Sequence, residues 1–172
     1  MFLMTPTPDP VDAINTQWRA AKPDLDTVPM DVIGRIFRIA DTVGARMTKT
    51  YGRYGISRGE FDVLSALRRS GEPYTLSPRE LAATTLLTTG GMTGRLDKLE
   101  RAGLLTRSPD PKDRRGLRVT LTERGRELAE EAVVVGVAVQ REAMAGLSDA
   151  QAEQLTALLR LLVRSSEASV EG

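Results

Sequence analysis

Between residues 77 and 121 the chain carries its most constraining feature. A helix start and a second helix stopped by glycine are followed by two short strands around a basic loop. Ser77-Pro78-Arg79-Glu80 supplies a capping serine, a proline at the first helical position and a glutamate at the third. Leu81-Ala82-Ala83 continues that helix. A second helix is expected from Thr88 or Thr89 through Met92, Leu96 and Leu99 to Ala102, with Gly103 as its stop. Residues 104–107 and 117–121 read as strands, the latter strictly alternating apolar and polar, and residues 108–116 are loop chemistry throughout. Two helices, a strand, a basic hairpin loop and a returning strand make a winged helix-turn-helix.

The flanks read as helices. Val11, Ile14 and Trp18 form one stripe of a short helix from Asp9 to about Ala21, and Pro23 and Pro29 bracket a polar connector. A long helix is expected over residues 30–51, ended by Gly52 and Gly55. Ser57 and Glu60 form the capping-box pattern of another, which carries Phe61, Leu64 and Leu67. Thr122 and Ser148 start two more, the last with Leu155, Leu158, Leu159 and Leu162 on one face. This is far more apolar helix surface than one small winged domain can cover, so a symmetric helical dimer interface is expected, with a larger monomeric core as the alternative. The fold class is mainly α (α+β): a winged helix-turn-helix on a helical dimerisation scaffold.

Composition narrows the chemistry. Cys 0 and His 0 remove disulfides, thiolate nucleophiles, the commonest metal ligand and the side chain that titrates near neutrality. No nucleophile–base pair or phosphate-binding glycine loop appears, so neither an enzyme nor a cofactor is expected. No apolar run approaches the roughly 20 residues of a membrane span, and residues 1–10 lack a secretory pattern, so the expected location is cytoplasmic. Net charge is +1, yet residues 74–126 hold eleven basic against six acidic side chains, which leaves the flanks net negative. A basic middle between acidic flanks suits a nucleic-acid face, double-stranded DNA in the present setting; an ordinary solvated surface is the alternative.

On a helical wheel Met92, Leu96 and Leu99 share the inward face. Gly90, Thr93, Gly94, Asp97 and Arg101 lie opposite, with Lys98 to one side. Glycines near a helix start call for a reason: close approach to DNA is one, tight packing on the preceding helix the other. Ser77, Thr88, Thr89, Gly90, Gly91, Thr93, Gly94, Lys98 and Arg101 are therefore the candidate DNA contacts of the helices. In the loop, Lys112, Arg114 and Arg115 are the candidates, the two arginines suited to a narrow minor groove.

Residues 76–82 (Leu-Ser-Pro-Arg-Glu-Leu-Ala), 91–107 and 110–125 closely resemble the multiple-antibiotic-resistance regulator (MarR) family across its helix-turn-helix, wing and exit. The outer helices fit that family's dimer scaffold, so the likeness covers nearly the whole chain. Asp113 resembles the acidic residue that braces the family's wing arginines. The extra N-terminal helix with its tryptophan looks like the urate-responsive subgroup, whose relatives include aconitate-responsive regulators. That resemblance implies an anion pocket of Trp18, Asp62, Arg95 and Arg107, in which two guanidinium groups clamp a planar anion, Trp18 stacks and Asp62 accepts from ring N–H groups. A structural set is the alternative: a core tryptophan, an Asp62–Arg95 pair and a phosphate contact at Arg107. Two prolines and no periodicity make residues 1–8 an expected disordered tail, and the resemblance implies dimerisation and ligand binding over 9–55, DNA binding over 56–121 and dimerisation over 122–172. The expected function is a homodimeric regulator, a repressor released from a pseudo-palindromic operator by a small anionic metabolite. A DNA-architectural or ligand-independent regulator is the alternative.

Overall fold

The computed structural model describes residues 7–85, 91–111, 113 and 116–168. Most of the expected disordered tail, and Thr88, Thr89, Gly90, Lys112, Arg114 and Arg115, lie outside the described residues. The chain divides into two compact units, residues 1–46 and 47–172. The division falls inside a helix, earlier than the expected boundary at 55/56, because Met47 and Tyr51 are already buried in the second unit.

The first unit opens with α1 (Pro10–Ala21), capped by Asp9, whose side chain accepts from the N–H groups of Val11 and Asp12 while Asp12 reaches back to the Asp9 N–H. Helix α2 (Val28–Gly52) begins two residues before the expected start. Pro29, read as connector, sits in its first turn, where a missing N–H costs nothing. Arg35 ties the two helices together. Its Nε donates to Asp9 Oδ2 at 2.8 Å, Nη2 to Asp12 Oδ1 at 2.6 Å and Nη1 to the Asp31 carbonyl at 2.7 Å. Arg19 joins Asp31 and Thr27, and the fully buried Asn15 donates to Asp31. Of the α1 stripe only Val11 is buried, against Gly34; Ile14 and Trp18 stay half exposed, and Ile14 and Phe37 help line an apolar cavity of 640 Å³.

In the second unit α3 (Arg58–Arg69) carries the expected Ser57–Glu60 capping box and forms the centre of the core through Val63, Leu64, Ala66 and Leu67. Helix α4 (Pro78–Thr84) starts at the Ser77–Glu80 box and buries Leu81. Helix α5 (Met92–Arg101) is capped by Gly91, whose φ of 80° is left-handed; the expected start at Thr88 or Thr89 lies outside the described residues. The sheet runs β1-β3-β2, all antiparallel. Strand β3 (Leu117–Leu121) falls where its alternation predicts, whereas β2 (Leu105–Pro109) takes in Ser108 and Pro109, read as loop. Both are free to pair as an edge strand ends. The two-residue strand β1 (Thr75–Leu76) was not expected; its pairing of Thr75 with Thr120 is set from afar.

Helix α6 (Glu123–Ala143) packs on α3 and buries its small residues Ala129, Ala132 and Gly136, and a Cβ at Gly136 would overlap the Tyr51 hydroxyl at the end of α2. Tyr51 stacks on Phe61 with ring centroids 4.3 Å apart. Helix α7 (Asp149–Ala168) buries no residue at all. No helix among the described residues is long and apolar enough to cross a membrane.

Candidate nucleic-acid interface

The helix-turn-helix positions α5 by what it buries. Leu96 and Leu99 sit in the core, whereas Thr93, Gly94, Lys98 and Arg101 are exposed, and Met92 is half-buried. A Cβ at Gly94 would meet nothing, so close packing on the preceding helix does not account for this glycine. Gly91 also faces open space, and its φ alone demands glycine. Arg101 donates its Nε to the Asp97 carbonyl at 3.2 Å and stays on the exposed face. Ser77 spends its oxygen as an acceptor on the Glu80 N–H at 3.2 Å. Its own N–H and hydroxyl hold the Glu80 carboxyl below the usual range.

Two flanks of α5 are tied down, by different partners. On one flank Lys98 Nζ lies 2.9 Å from Glu60 Oε1. Glu60 is itself nearly buried, and its Oε2 accepts from the Ser57 N–H at 2.8 Å. Lys98, expected as a DNA contact, thus has a carboxylate partner at the start of α3. Arg95 turns to the same element: a Cβ at Gly59 would stand 2.5 Å from Arg95 Nε, so glycine leaves the room this guanidinium fills. Asp62, on α3, is buried, and neither Asp62 nor Arg95 is without a polar partner.

On the other flank Arg107, from β2, is held by both carboxylates that α5 presents there. Its Nη2 lies 2.6 Å from Glu100 Oε2 and 2.7 Å from Asp97 Oδ1. Its Nε donates to Glu100 Oε2 and its backbone N–H to Glu100 Oε1, each at 2.9 Å. These hydrogen bonds hold the Glu100 carboxyl below its ordinary range and raise Arg107. At 100° per residue Arg95 leaves α5 about 140° from Glu100 and about 160° from Asp97. Arg95 and Arg107 therefore flank the helix on opposite sides and do not form the clamp expected of them. Asp97, placed by the wheel on the open face, is half-buried as a result of this pairing.

In the hairpin, the Gly116 N–H donates to the Asp113 carbonyl and the Asp110 N–H to the Gly116 carbonyl, both at 2.9 Å. A Cβ at Gly116 would stand 3.0 Å from Asp110 Cβ and 3.1 Å from Asp113 Cβ, so both acids crowd the loop's inner side. Arg118 on β3 reaches Glu80 Oε2 at 3.2 Å, joining hairpin to α4. Glu60, Asp97 and Glu100 are the residues that sequence reasoning passed over. Glu60 was visible only as a cap, and the Glu100–Arg107 tie needs the turn at Gly103 to bring strand against helix. Among the described residues no acidic group suited to a metal ion appears.

A recognition-type helix with an open polar face, followed by a basic hairpin, defines a winged helix DNA-binding regulator. Residues 54–116 match the MarR family, and this chain belongs to that family. It is 38% identical over 149 residues to the transcriptional regulator PecS of Dickeya dadantii, covering 87% of this chain and 90% of PecS. Among solved structures, BpsR of Bordetella bronchiseptica, whose DNA binding is regulated by 6-hydroxynicotinic acid, is 30% identical with a TM-score of 0.69, covering 77% of this chain and 92% of BpsR. A MarR variant from E. coli complexed with operator DNA shares the fold at 24% identity and a TM-score of 0.67, over 84% of this chain and 96% of that one. The chain is a transcriptional regulator of the MarR family, and its relatives are regulators and not enzymes.

Proposed function

We propose that this regulator is a homodimeric repressor that leaves a pseudo-palindromic operator when a small anion, urate-like or a tricarboxylate, binds. The observation that carries the ligand reading is Arg95: a cation on the DNA-reading helix that turns away from the open face onto Gly59 of α3. An anion at Arg95 and Asp62 would bear on α5 directly, and it changes DNA affinity only by its differential affinity for the two positions of that helix. Regulation of BpsR by 6-hydroxynicotinic acid, itself a planar aromatic anion, supports that ligand chemistry. The subgroup resemblance names Trp18 as the stacking aromatic. Arg107, already neutralised by two carboxylates, supports the ligand-independent reading at its own position, and the anion is assigned to Arg95.

In this reading Thr93, Gly94 and Arg101, with Ser77, Thr88, Thr89, Gly90 and Gly91, face the major groove. Arg114 and Arg115 enter the minor groove beside Lys112, braced by Asp113. Residues 9–55 and 122–172 pair the two copies; the exposure of Phe37, Leu158 and Leu161 supports this, as does a 20-residue α7 with nothing buried.

The test is anisotropy of labelled DNA from upstream of the chain's own gene, with and without urate, 6-hydroxynicotinate and citrate. Release by one of them supports the repressor; binding that none of them disturbs leaves a ligand-independent regulator.

A further inference from the structure

Arg107 sits on β2, the edge strand of the sheet, and its backbone N–H on the open edge is taken by Glu100. One carboxylate of the reading helix thus binds both the main chain and the guanidinium of the wing strand, and Asp97 adds a second grip one turn away. One positive charge against two negative ones presents a net negative surface, so an incoming anion meets repulsion there unless it displaces a carboxylate of matched geometry. The position in the strand matters equally. Leu104 and Leu105 are buried beneath α5, whereas Ser108 and Pro109, just past Arg107, are exposed. Among the described residues, Arg107 therefore grips the reading helix just before the strand becomes exposed.

We infer that Arg107 is a strut that sets the angle between the reading helix and the wing, a positioning residue for DNA binding that acts through Glu100 and Asp97. The inference rests on the reading above, in which α5 and the wing engage one half-site together. Two contacts joined rigidly bind as one, because the second is made at high effective concentration; slack in the joint lowers that concentration and the combined affinity with it. No phosphate or base need touch Arg107 for its loss to be felt. Removing Glu100 should have the same effect as removing Arg107, although the two changes alter net charge in opposite directions.

The experiment compares wild type, Arg107→Met and Glu100→Gln on one operator by anisotropy, with hydroxyl-radical footprinting for the minor groove and dimethyl sulfate protection for guanines in the major groove. Thermal melting by circular dichroism accompanies each. The expected result is a roughly tenfold loss of operator affinity in both variants, with wing-side minor-groove protection lost, guanine protection kept and melting temperature within a few degrees of wild type. Unchanged footprints in both variants overturn the strut alone. So does weakening in Arg107→Met without weakening in Glu100→Gln, which would make Arg107 a direct contact. A uniform loss of protection that follows a fall in melting temperature also overturns it, because a merely structural tie would behave that way. Absence of protection by the wild-type protein overturns the DNA-binding reading, and the strut with it.

Discussion

Glu60 grips Lys98 at 2.9 Å while its other oxygen caps the first turn of α3, so a single nearly buried carboxylate joins the start of one helix to the middle of another. Removing one partner of such a pair leaves a charge short of solvent and of compensation. Lys98 itself is half exposed, which tempers the cost. Lys98→Met is expected to destabilise the fold by about 1–2 kcal/mol in urea unfolding and to leave the salt dependence of DNA binding unchanged. A salt slope that falls by about one would give Lys98 back to a phosphate.

Gly59 offers a separate handle on the anion site. An alanine there would put its Cβ 2.5 Å from Arg95 Nε, and the flexible guanidinium end must move. Gly59→Ala is expected to bind operator DNA within about threefold of wild type yet to resist release by the anion that releases the wild type. Full release at wild-type concentrations would remove Arg95 from the ligand site.

Gly125 is expected to tolerate no side chain. A Cβ there would overlap the Leu104 carbonyl, a backbone atom at the strand's start that cannot swing aside. Gly125→Ala should cost roughly 2–3 kcal/mol, lowering the thermal midpoint by about 5–10 °C.

The charged ties set the acid limit. The carboxyls of Glu100 and Glu130 lie below their ordinary range because Arg107 and Arg68 donate to them, and that of Asp12 because the Asp9 N–H and Arg35 do. Groups with depressed folded values contribute stability that is complete above their unfolded value and lost as pH falls through the folded one. Stability should thus be flat from about pH 5 to 8, with no histidine to perturb it, and decline only below about pH 4.5. A midpoint of urea unfolding that shifts between pH 6 and 8 would contradict this.

Tyr51 sets the alkaline limit. Burial pushes its hydroxyl up to about 12, so the folded state holds the neutral phenol. The sign is opposite to that of the acids: the stability is complete below pH 10 and is lost as pH rises towards 12. A late ionisation step should appear in absorbance at 295 nm, and Tyr51→Phe should remove it.

Local chemistry was readable where it is written in neighbouring residues. The boxes at Ser57–Glu60 and Ser77–Glu80, the Gly103 stop and the alternation of β3 all depend on contacts within a few positions. Pro29 misled because a proline in a first helical turn looks in sequence like a linker. The start of α5 depended on the φ of Gly91, and β1 exists only through its partner Thr120. The candidate site was legible as residue types and not as partnerships. Arg95 and Arg107 both match the anion-pocket pattern, yet which carboxylates claim each arginine is decided by the side of α5 it approaches.

Helix α7 buries no residue within its own chain, whereas helices in proteins draw most of their stability from tertiary packing. In the dimeric reading its order comes from the second copy, as does the pairing of two half-site readers. Occupancy of the operator then falls faster than the protein's own concentration, because the binding species is a pair. Dilution during cell growth would act on the gene in the same direction as an inducer.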